Sequence, residues 1–269
     1  MSAKIFDGKR KAEEISENVR RRVAKLHFTP KLISFYKPDD PGSALYTRIK
    51  KQKAQSVGIE FEDIEIYRAQ DAVSQIRESS KDPAVHGILV QHPSGEFAFQ
   101  EKNWQALLEA ITKEKDVDGL RDDSPFLPAT VKAVLVALND AGLSLTKLSL
   151  VSVKVAVVGA TGIVGRALTK VLKDYAAQVI EIDVTTQDVW FQTKKADIVI
   201  SATGNPRIIN GDMIKKNAIV IDVGAPGGDV DFDSVKSVAS FITPVPGGIG
   251  PVTVACLLEN LVEAASKRT

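Results

Sequence analysis

The chain has 269 residues, 44% of them hydrophobic and 26% charged, with 35 basic side chains against 34 acidic ones. A net charge of +1 offers no field for nucleic acid or an anionic membrane, which leaves small molecules as the expected ligands. The lone cysteine, Cys256, excludes an internal disulfide framework and a cysteine-cluster zinc site, and no metal is expected. Residues Met1 to Arg10 contain no apolar run of signal-peptide length, and no segment offers about 18 to 20 uninterrupted apolar residues, so a cytoplasmic location is expected. The length suits two medium domains.

Strand-like and helical runs alternate almost from end to end, which predicts an α/β protein with largely parallel sheets. Helical patterning covers about Arg10 to Leu26. A strand follows at Lys31 to Tyr36, then a helix from Ser43 to Val57 stopped by Gly58, and a strand near Ile64. Further on come a helix at about Asp71 to Ser79, a short apolar strand at Gly87 to Val90 and a helix near Trp104 to Ile111. A second half begins after Leu143, with the boundary placed near residue 140 in Asn139-Asp140-Ala-Gly142. It carries five short strand-like runs, Val153 to Val158, Val179 to Ile182, Ile198 to Ser201, Ala218 to Val223 and Ser240 to Thr243. That order is a dinucleotide-binding, Rossmann-like pattern. After Pro251 comes an apolar helix, Val252 to Ala265, with no strand behind it, so it is expected to pack back on the first domain.

Three groups of residues could carry chemistry. Val155-Ala-Val-Val-Gly159-Ala-Thr-Gly162-Ile-Val-Gly165 sets three glycines between a buried strand and a helix, where backbone N–H groups and the helix terminus can meet a pyrophosphate. The spacing is GxxGxxG, which alone could be a tight turn. Its context adds Glu181 and Asp183 at the end of the next strand. A carboxylate at Asp183 can accept hydrogen bonds from an adenosine ribose and repels a 2′-phosphate; otherwise it simply faces solvent at a strand end.

The second group is Tyr46 and Lys50, four residues apart on one helix face, bordered by Leu45 and Ile49. A lysine against apolar surface is disfavoured as a cation and becomes usable for proton transfer near neutrality, whereas most isolated Tyr/Lys pairs are solvated helix faces. The third is the loop Thr243-Pro-Val-Pro-Gly-Gly-Ile-Gly-Pro-Val-Thr253, rigid and tightly turned, ending on the positive terminus of a helix.

The Thr243 to Thr253 block resembles the signature of the bifunctional methylenetetrahydrofolate dehydrogenase/methenyltetrahydrofolate cyclohydrolases. So do Ser43-Ala-Leu-Tyr46-Thr-Arg-Ile-Lys50, Gly87-Ile-Leu-Val-Gln91-His-Pro93, Lys115-Asp-Val-Asp-Gly119 and Ala196-Asp-Ile-Val-Ile-Ser-Ala-Thr-Gly-Asn-Pro206, in the family's order, and Ile221-Asp-Val-Gly224 beside them. The resemblance spans nearly all of the chain. It implies two α/β domains, residues 1–140 for folate, joined by the helix 251–269, and residues 141–250 for the dinucleotide, with two consecutive reactions in one cleft between them.

The resemblance assigns Lys50 the protons of the hydrolysis, Tyr46 the orienting of the bound folate, Gln91 a hydrogen bond that holds Lys50, and Asp118 the donors of the pterin ring. Asp116 fixes its loop. The amidine-like edge of a pterin suits a carboxylate. Pro246, Gly247, Gly248 and Thr253 would also contact substrate. Gly159, Ala160, Thr161, Gly162, Ile163, Val164, Gly165, Asp183, Thr203, Gly204, Gly224 and Ala225 would contact the cofactor. His92 is expected to reach solvent and has no assigned role.

The family mostly uses NADP. Its NADP-users carry an arginine after the first glycine or just after the second strand, where this chain has Ala160 and Asp183-Val-Thr-Thr186, so the reading leans towards NAD. The chain departs from the pattern again at Pro128-Ala-Thr-Val131, where the family has Pro-Cys-Thr-Pro, and in a shortened loop from Leu120 to Leu127. Partners implied are tetrahydrofolate derivatives and a second copy in a homodimer; nucleic acid and membrane are not. Competing readings are another two-domain dehydrogenase of the shikimate or amino-acid type, and a dinucleotide-binding regulator without catalysis.

Overall fold

A computed structural model describes residues 2–93, 99–143, 151–175 and 178–267. The expected start of the second half just after Leu143, and the last two residues of the expected C-terminal helix, fall outside them. The chain divides into two compact units. One runs from the N-terminus to Ala12 and includes Thr130–Thr253; the other holds Glu13–Ala129 and the chain from Val254 onward. The division therefore falls at Ala129/Thr130 rather than near residue 140, and the first dozen residues sit with the second half.

The second unit is built on a three-stranded parallel sheet, β2 (Lys31–Tyr36), β3 (Glu60–Glu65) and β4 (Gly87–Val90), in the order β3-β2-β4. Its helices are α1 (Gly8–Val23, from Glu13 on), α2 (Pro41–Ser56), α3 (Ala69–Lys81), α4 (Glu101–Ala110) and the later part of α9 (Ile249–Ser266). The start of α2 follows from local chemistry. Asp40 caps it by accepting from the amides of Gly42 and Ser43 at 3.0 and 3.2 Å, and Pro41 supplies a preset φ. Its end follows from Gly58, whose φ of +83° suits glycine.

The other unit holds a six-stranded parallel sheet, β1 (Lys4–Ile5), β5 (Lys154–Val158), β6 (Gln178–Ile182), β7 (Ile198–Ser201), β8 (Ile219–Asp222) and β9 (Phe241–Ile242), ordered β1-β9-β8-β7-β5-β6. Around it lie α5 (Ala129–Asp140, from Thr130 on), α6 (Ile163–Asp174), α7 (Val189–Thr193) and α8 (Phe232–Lys236). Five of the strands are the five expected. The sixth, β1, comes from the N-terminus, where no strand was expected, and pairs Lys4 and Ile5 with Phe241 and Ile242. The buried strands read Val-Ala-Val-Val and Ile-Val-Ile with both faces covered, as parallel sheets require.

The C-terminal helix α9 starts at Ile249, two residues before Pro251, which still lies in the first turn where its missing N–H costs nothing. The helix is apolar enough along its length to resemble a membrane span, yet 67% of it is buried inside the protein. Cys256 is buried on it, as expected. From Val254 onward it packs with the three-stranded unit, where Asn260 Nδ2 donates to the carbonyls of Val117 and Leu127 at 2.9 and 3.0 Å. A Cβ on Gly87 would come within 2.5 Å of Leu261, so β4 lies hard against this helix.

Asn260→Ala leaves two buried carbonyls without that donor. The expected cost is roughly 2 to 3 kcal/mol of folding free energy, read as a lower urea midpoint at unchanged slope; an unchanged midpoint would refute the anchoring role.

Candidate functional site

In the three-stranded unit, α2 runs back along the sheet from the carboxyl end of β2, so its buried residues face the strands. Those residues are Ser43, Thr47, Lys50 and Ala54. Leu45 and Ile49, expected to flank the lysine, are instead exposed. The helix turns Lys50 inward, and its amine donates to Gln91 Oε1 at 2.7 Å, just beyond the end of β4. Only 8% of Lys50 is exposed. Burial pushes its pKa below the usual lysine range, with the charge of Asp118 pulling the other way. Burial likewise pushes the Asp118 carboxyl above the usual carboxylate range, opposed by Lys50.

Asp118 reaches this place through its own segment. Asp116 bridges to Ile88 of β4. Its buried carboxylate accepts the amide of Arg121 at 2.9 Å, and its carbonyl accepts Ser124 Oγ at 3.2 Å. Arg121 then holds the short loop by donating to the carbonyls of Leu108 and Ile111 at 3.1 and 3.0 Å and by its pair with Asp123. Asp116 thus fixes its loop, as anticipated. Tyr46 is half-buried one turn before Lys50, and burial raises its pKa. His92 does not stand in solvent. It is half-buried, its ring centroid 4.6 Å from that of Trp104 in an edge-to-face arrangement, and burial lowers its pKa.

In the six-stranded unit, the turn after β5 brings Gly159, Ala160, Thr161, Gly162, Ile163, Val164 and Gly165 together. Gly159 has φ +86°, and a Cβ on Gly165 would lie 2.0 Å from the Gly159 carbonyl, so the close strand-to-helix passage depends on glycine. Not every amide of the turn is open to a ligand. Gly159 and Ala160 donate to Ile182 O at 2.8 and 3.0 Å, and Gly162 donates to Gly159 O. The cap of α6 is Gly162, with no side chain to take the first-turn donors, which leaves the amides of Ile163, Val164 and Gly165 at the helix terminus. That donor set fits the pyrophosphate of a dinucleotide.

Beyond β6, Asp183 Oδ1 accepts from the Thr185 amide at 2.8 Å, the Thr185 hydroxyl at 2.7 Å and the Thr186 hydroxyl at 3.3 Å. The hydrogen bond from the Thr185 hydroxyl is foremost in holding its pKa below the ordinary carboxylate value. Glu181 is exposed and paired with Lys173 at 2.6 Å.

Two buried aspartates that sequence reasoning gave no role join the ends of β7 and β8. Asp222 accepts from the amides of Gly224, Asp229 and Val230 at 2.8, 3.1 and 3.0 Å. Asp229 Oδ2 accepts from Ser201 Oγ and the Thr203 amide at 2.8 and 2.6 Å. Together they set Thr203, Gly204 (φ +70°), Gly224 and Ala225, and a Cβ on Gly224 would strike Asp229. In the same unit Gly247 (φ +101°) and Gly248 follow Pro246, and Thr253 Oγ1 donates back to Ile249 O at 3.2 Å. Gly8 was also missed: a Cβ there would lie 1.9 Å from the Gly248 carbonyl, so the N-terminal segment braces this turn.

Residues 6–118 match the family described as tetrahydrofolate dehydrogenase/cyclohydrolase, catalytic domain, and residues 128–269 match its NAD(P)-binding domain. A bifunctional protein FolD of Dechloromonas aromatica is 38% identical over 291 aligned positions, covering 100% of this chain and 99% of its own. A Campylobacter jejuni FolD methylenetetrahydrofolate dehydrogenase/cyclohydrolase superposes with a TM-score of 0.89 at 31% identity, over all of both chains. The Trypanosoma brucei enzyme, complexed with NADP and inhibitor, gives 0.88 at 29%, covering 99% of this chain and 98% of its own. A shikimate dehydrogenase of Aquifex aeolicus gives 0.55 at 16% identity and covers 89% of this chain and 92% of its own, a likeness of fold alone.

A buried lysine with a lowered pKa leaves a signature in stability. The unfolded chain binds the Lys50 proton more tightly than the folded one, so this residue contributes a stability that increases with pH towards the ordinary lysine pKa of about 10.4. The melting temperature of the wild type minus that of Lys50→Met should therefore grow as the pH is raised towards about 10. A difference flat across that rise would contradict the buried amine.

Proposed function

The chain belongs to the tetrahydrofolate dehydrogenase/cyclohydrolase family, and on that premise we propose how its residues serve the two reactions. It is a bifunctional enzyme of one-carbon metabolism, oxidising 5,10-methylenetetrahydrofolate to the 5,10-methenyl form with NAD(P) and hydrolysing that cation to 10-formyltetrahydrofolate.

The observation that supports the assignment of roles best is the Lys50 amine, buried, bonded to Gln91 and within the field of Asp118. An amine whose pKa is lowered by burial gives up its proton more readily than an exposed lysine, which suits it to serve as a base. In this reading Lys50 takes a proton from the water that attacks the methenyl carbon. Gln91 keeps the amine aimed, Asp118 accepts the N–H edge of the pterin, and Tyr46 lies against the folate. Pro246, Gly247, Gly248 and Thr253 would also contact substrate. The methenyl carbon is already electrophilic, so proton handling and alignment are what the protein must add.

NAD(P)+, when bound, supplies the hydride acceptor. The α6 first-turn amides would hold its pyrophosphate, and the backbone at Thr203, Gly204, Gly224 and Ala225 would hold its nicotinamide half. For the ribose we propose a preference for NAD. Asp183 keeps its carboxylate ionised through Thr185 and Thr186, with Ala160 and Val184 offering no cation to a 2′-phosphate. The homodimer implied by the family resemblance and a cytoplasmic setting complete the proposal.

Lys50→Met should abolish hydrolysis of supplied methenyltetrahydrofolate, by at least about a hundredfold for a lost general base, while folate binding stays measurable by fluorescence. Retention of most hydrolysis would refute the role of Lys50. Asp183→Ser should raise the kcat/KM ratio of NADP to NAD by about tenfold or more, since each 1.4 kcal/mol of relieved repulsion is a factor of ten. An unmoved ratio would make Asp183 a bystander.

A further inference from the structure

The side of α2 that faces the sheet is polar, and so is one point of the sheet beneath it. Residues in register across parallel strands project to the same face. Ser34 of β2 is in register with Asp63 of β3 and with Leu89 of β4, and Gln91 lies two residues past Leu89. Lys50 reaches Gln91 and Lys51 pairs with Asp63, so α2 covers the Ser34 face. Thr47 is one turn before Lys50 on that same buried side.

Ser34 Oγ and Thr47 Oγ1 are both buried, and neither has a hydrogen-bond partner among the described residues. Buried hydroxyls are seldom left so, because their desolvation is uncompensated. Lys50 carries three N–H donors as a cation, of which Gln91 takes one. Two hydroxyls and an amine supply the two to four polar neighbours that an internal water needs.

We propose that Ser34 and Thr47 hold an internal water against the Lys50 amine and act, through that water, as positioning residues for its proton transfer. The inference rests on the reading of Lys50 given above. Of the groups around the amine, Gln91 accepts its hydrogen bond and Asp118 acts on it by charge, while Tyr46 and Thr47 are placed beside it by helix position and Ser34 by strand register. Asp63 is occupied by Lys51, and His92, next to Gln91, packs on Trp104.

During hydrolysis the attacking water bonds the methenyl carbon and gives one proton to the neutral amine. The ammonium returns it to N5 as the carbon–N5 bond breaks, and the hydroxyl proton of the adduct leaves to solvent as the formyl C=O forms. One proton is released per turnover. Between the two transfers the held water and its hydroxyls solvate the ammonium, which favours the charged form.

The test is the pH–rate profile of methenyltetrahydrofolate hydrolysis by the full chain. Removing either hydroxyl withdraws solvation from the ammonium, so Lys50 loses its proton at lower pH. The acid limb should move down by about one pH unit, the worth of one hydrogen bond to a charged group, in Thr47→Val and in Ser34→Ala. Thr47→Ser, which keeps the hydroxyl, should keep the wild-type limb. An unmoved limb in the Val and Ala variants would overturn the proposal, as would a Thr47→Ser limb displaced as far as that of Thr47→Val. Should Thr47→Val fail to fold, Ser34→Ala decides alone: a displaced limb supports the relay and an unmoved one removes it. An inactive Lys50→Met with unmoved limbs would leave the reading of Lys50 standing without this relay, whereas an active Lys50→Met would remove both.

Discussion

An amine kept out of water under a helix sets the terms for the three-stranded unit. To bring Lys50 against the sheet, α2 must give its buried side to Ser43, Thr47 and Lys50 and leave Leu45 and Ile49 in solvent, the reverse of an ordinary amphipathic helix. The apolar core is carried elsewhere. Ile33 and Phe35, which alternate with Ser34 and so point to the opposite face, are buried, as are Ala72 and Ile76 of α3. The desolvation that weakens the lysine as a cation is the same property that fits it to accept a proton. Chemistry and packing therefore make opposite demands on this helix, and chemistry prevails over its first three turns.

The opposing carboxylate needs an equally fixed mount. Asp118 sits on a segment tied at three points, through the Asp116 bridge to β4, through Arg121 clasping the end of α4, and through Asn260 on the last helix. The loop from Leu120 to Leu127 is short, and these bonds leave it no slack. In the six-stranded unit a comparable part is played by Asp222 and Asp229. They gather five donors at the carboxyl ends of β7 and β8 and so fix the backbone turns there.

Much of this was legible in the residues, and the exceptions have physical causes. The runs Lys31–Tyr36, Gly87–Val90 and Ile198–Ser201 were read to the residue because apolar strands bounded by turn residues carry a strong signal. The two-residue β1 is too short to show alternation. α5 was missed because Ala-Thr-Val-Lys-Ala-Val-Leu-Val-Ala-Leu is apolar on most sides and rich in β-branched residues, so its period is faint. Tyr46 and Lys50 stood out by type and spacing, and Gln91 and Asp118 by the resemblance of their segments to the family, but the inward turn of Lys50 depends on strand register, which no local pattern reveals. The same holds for the amides of Gly159 and Ala160, engaged by a carbonyl of the neighbouring strand, and for Ser34 and Thr47, which no local pattern singles out.

The edge strand of the six-stranded sheet has a consequence for how the chain is made. β1 pairs with β9, from which the other seven named strands separate it along the chain. Every other neighbour in that sheet lies within residues 154–242, so on the ribosome β1 waits unpaired until β9 has emerged. Closing so long a loop is slow. The same closure presses Gly8 onto the Gly247–Gly248 turn, so the proline-rich loop gains its brace only once β1 and β9 have met, and a nascent chain that still lacks β9 cannot complete this surface.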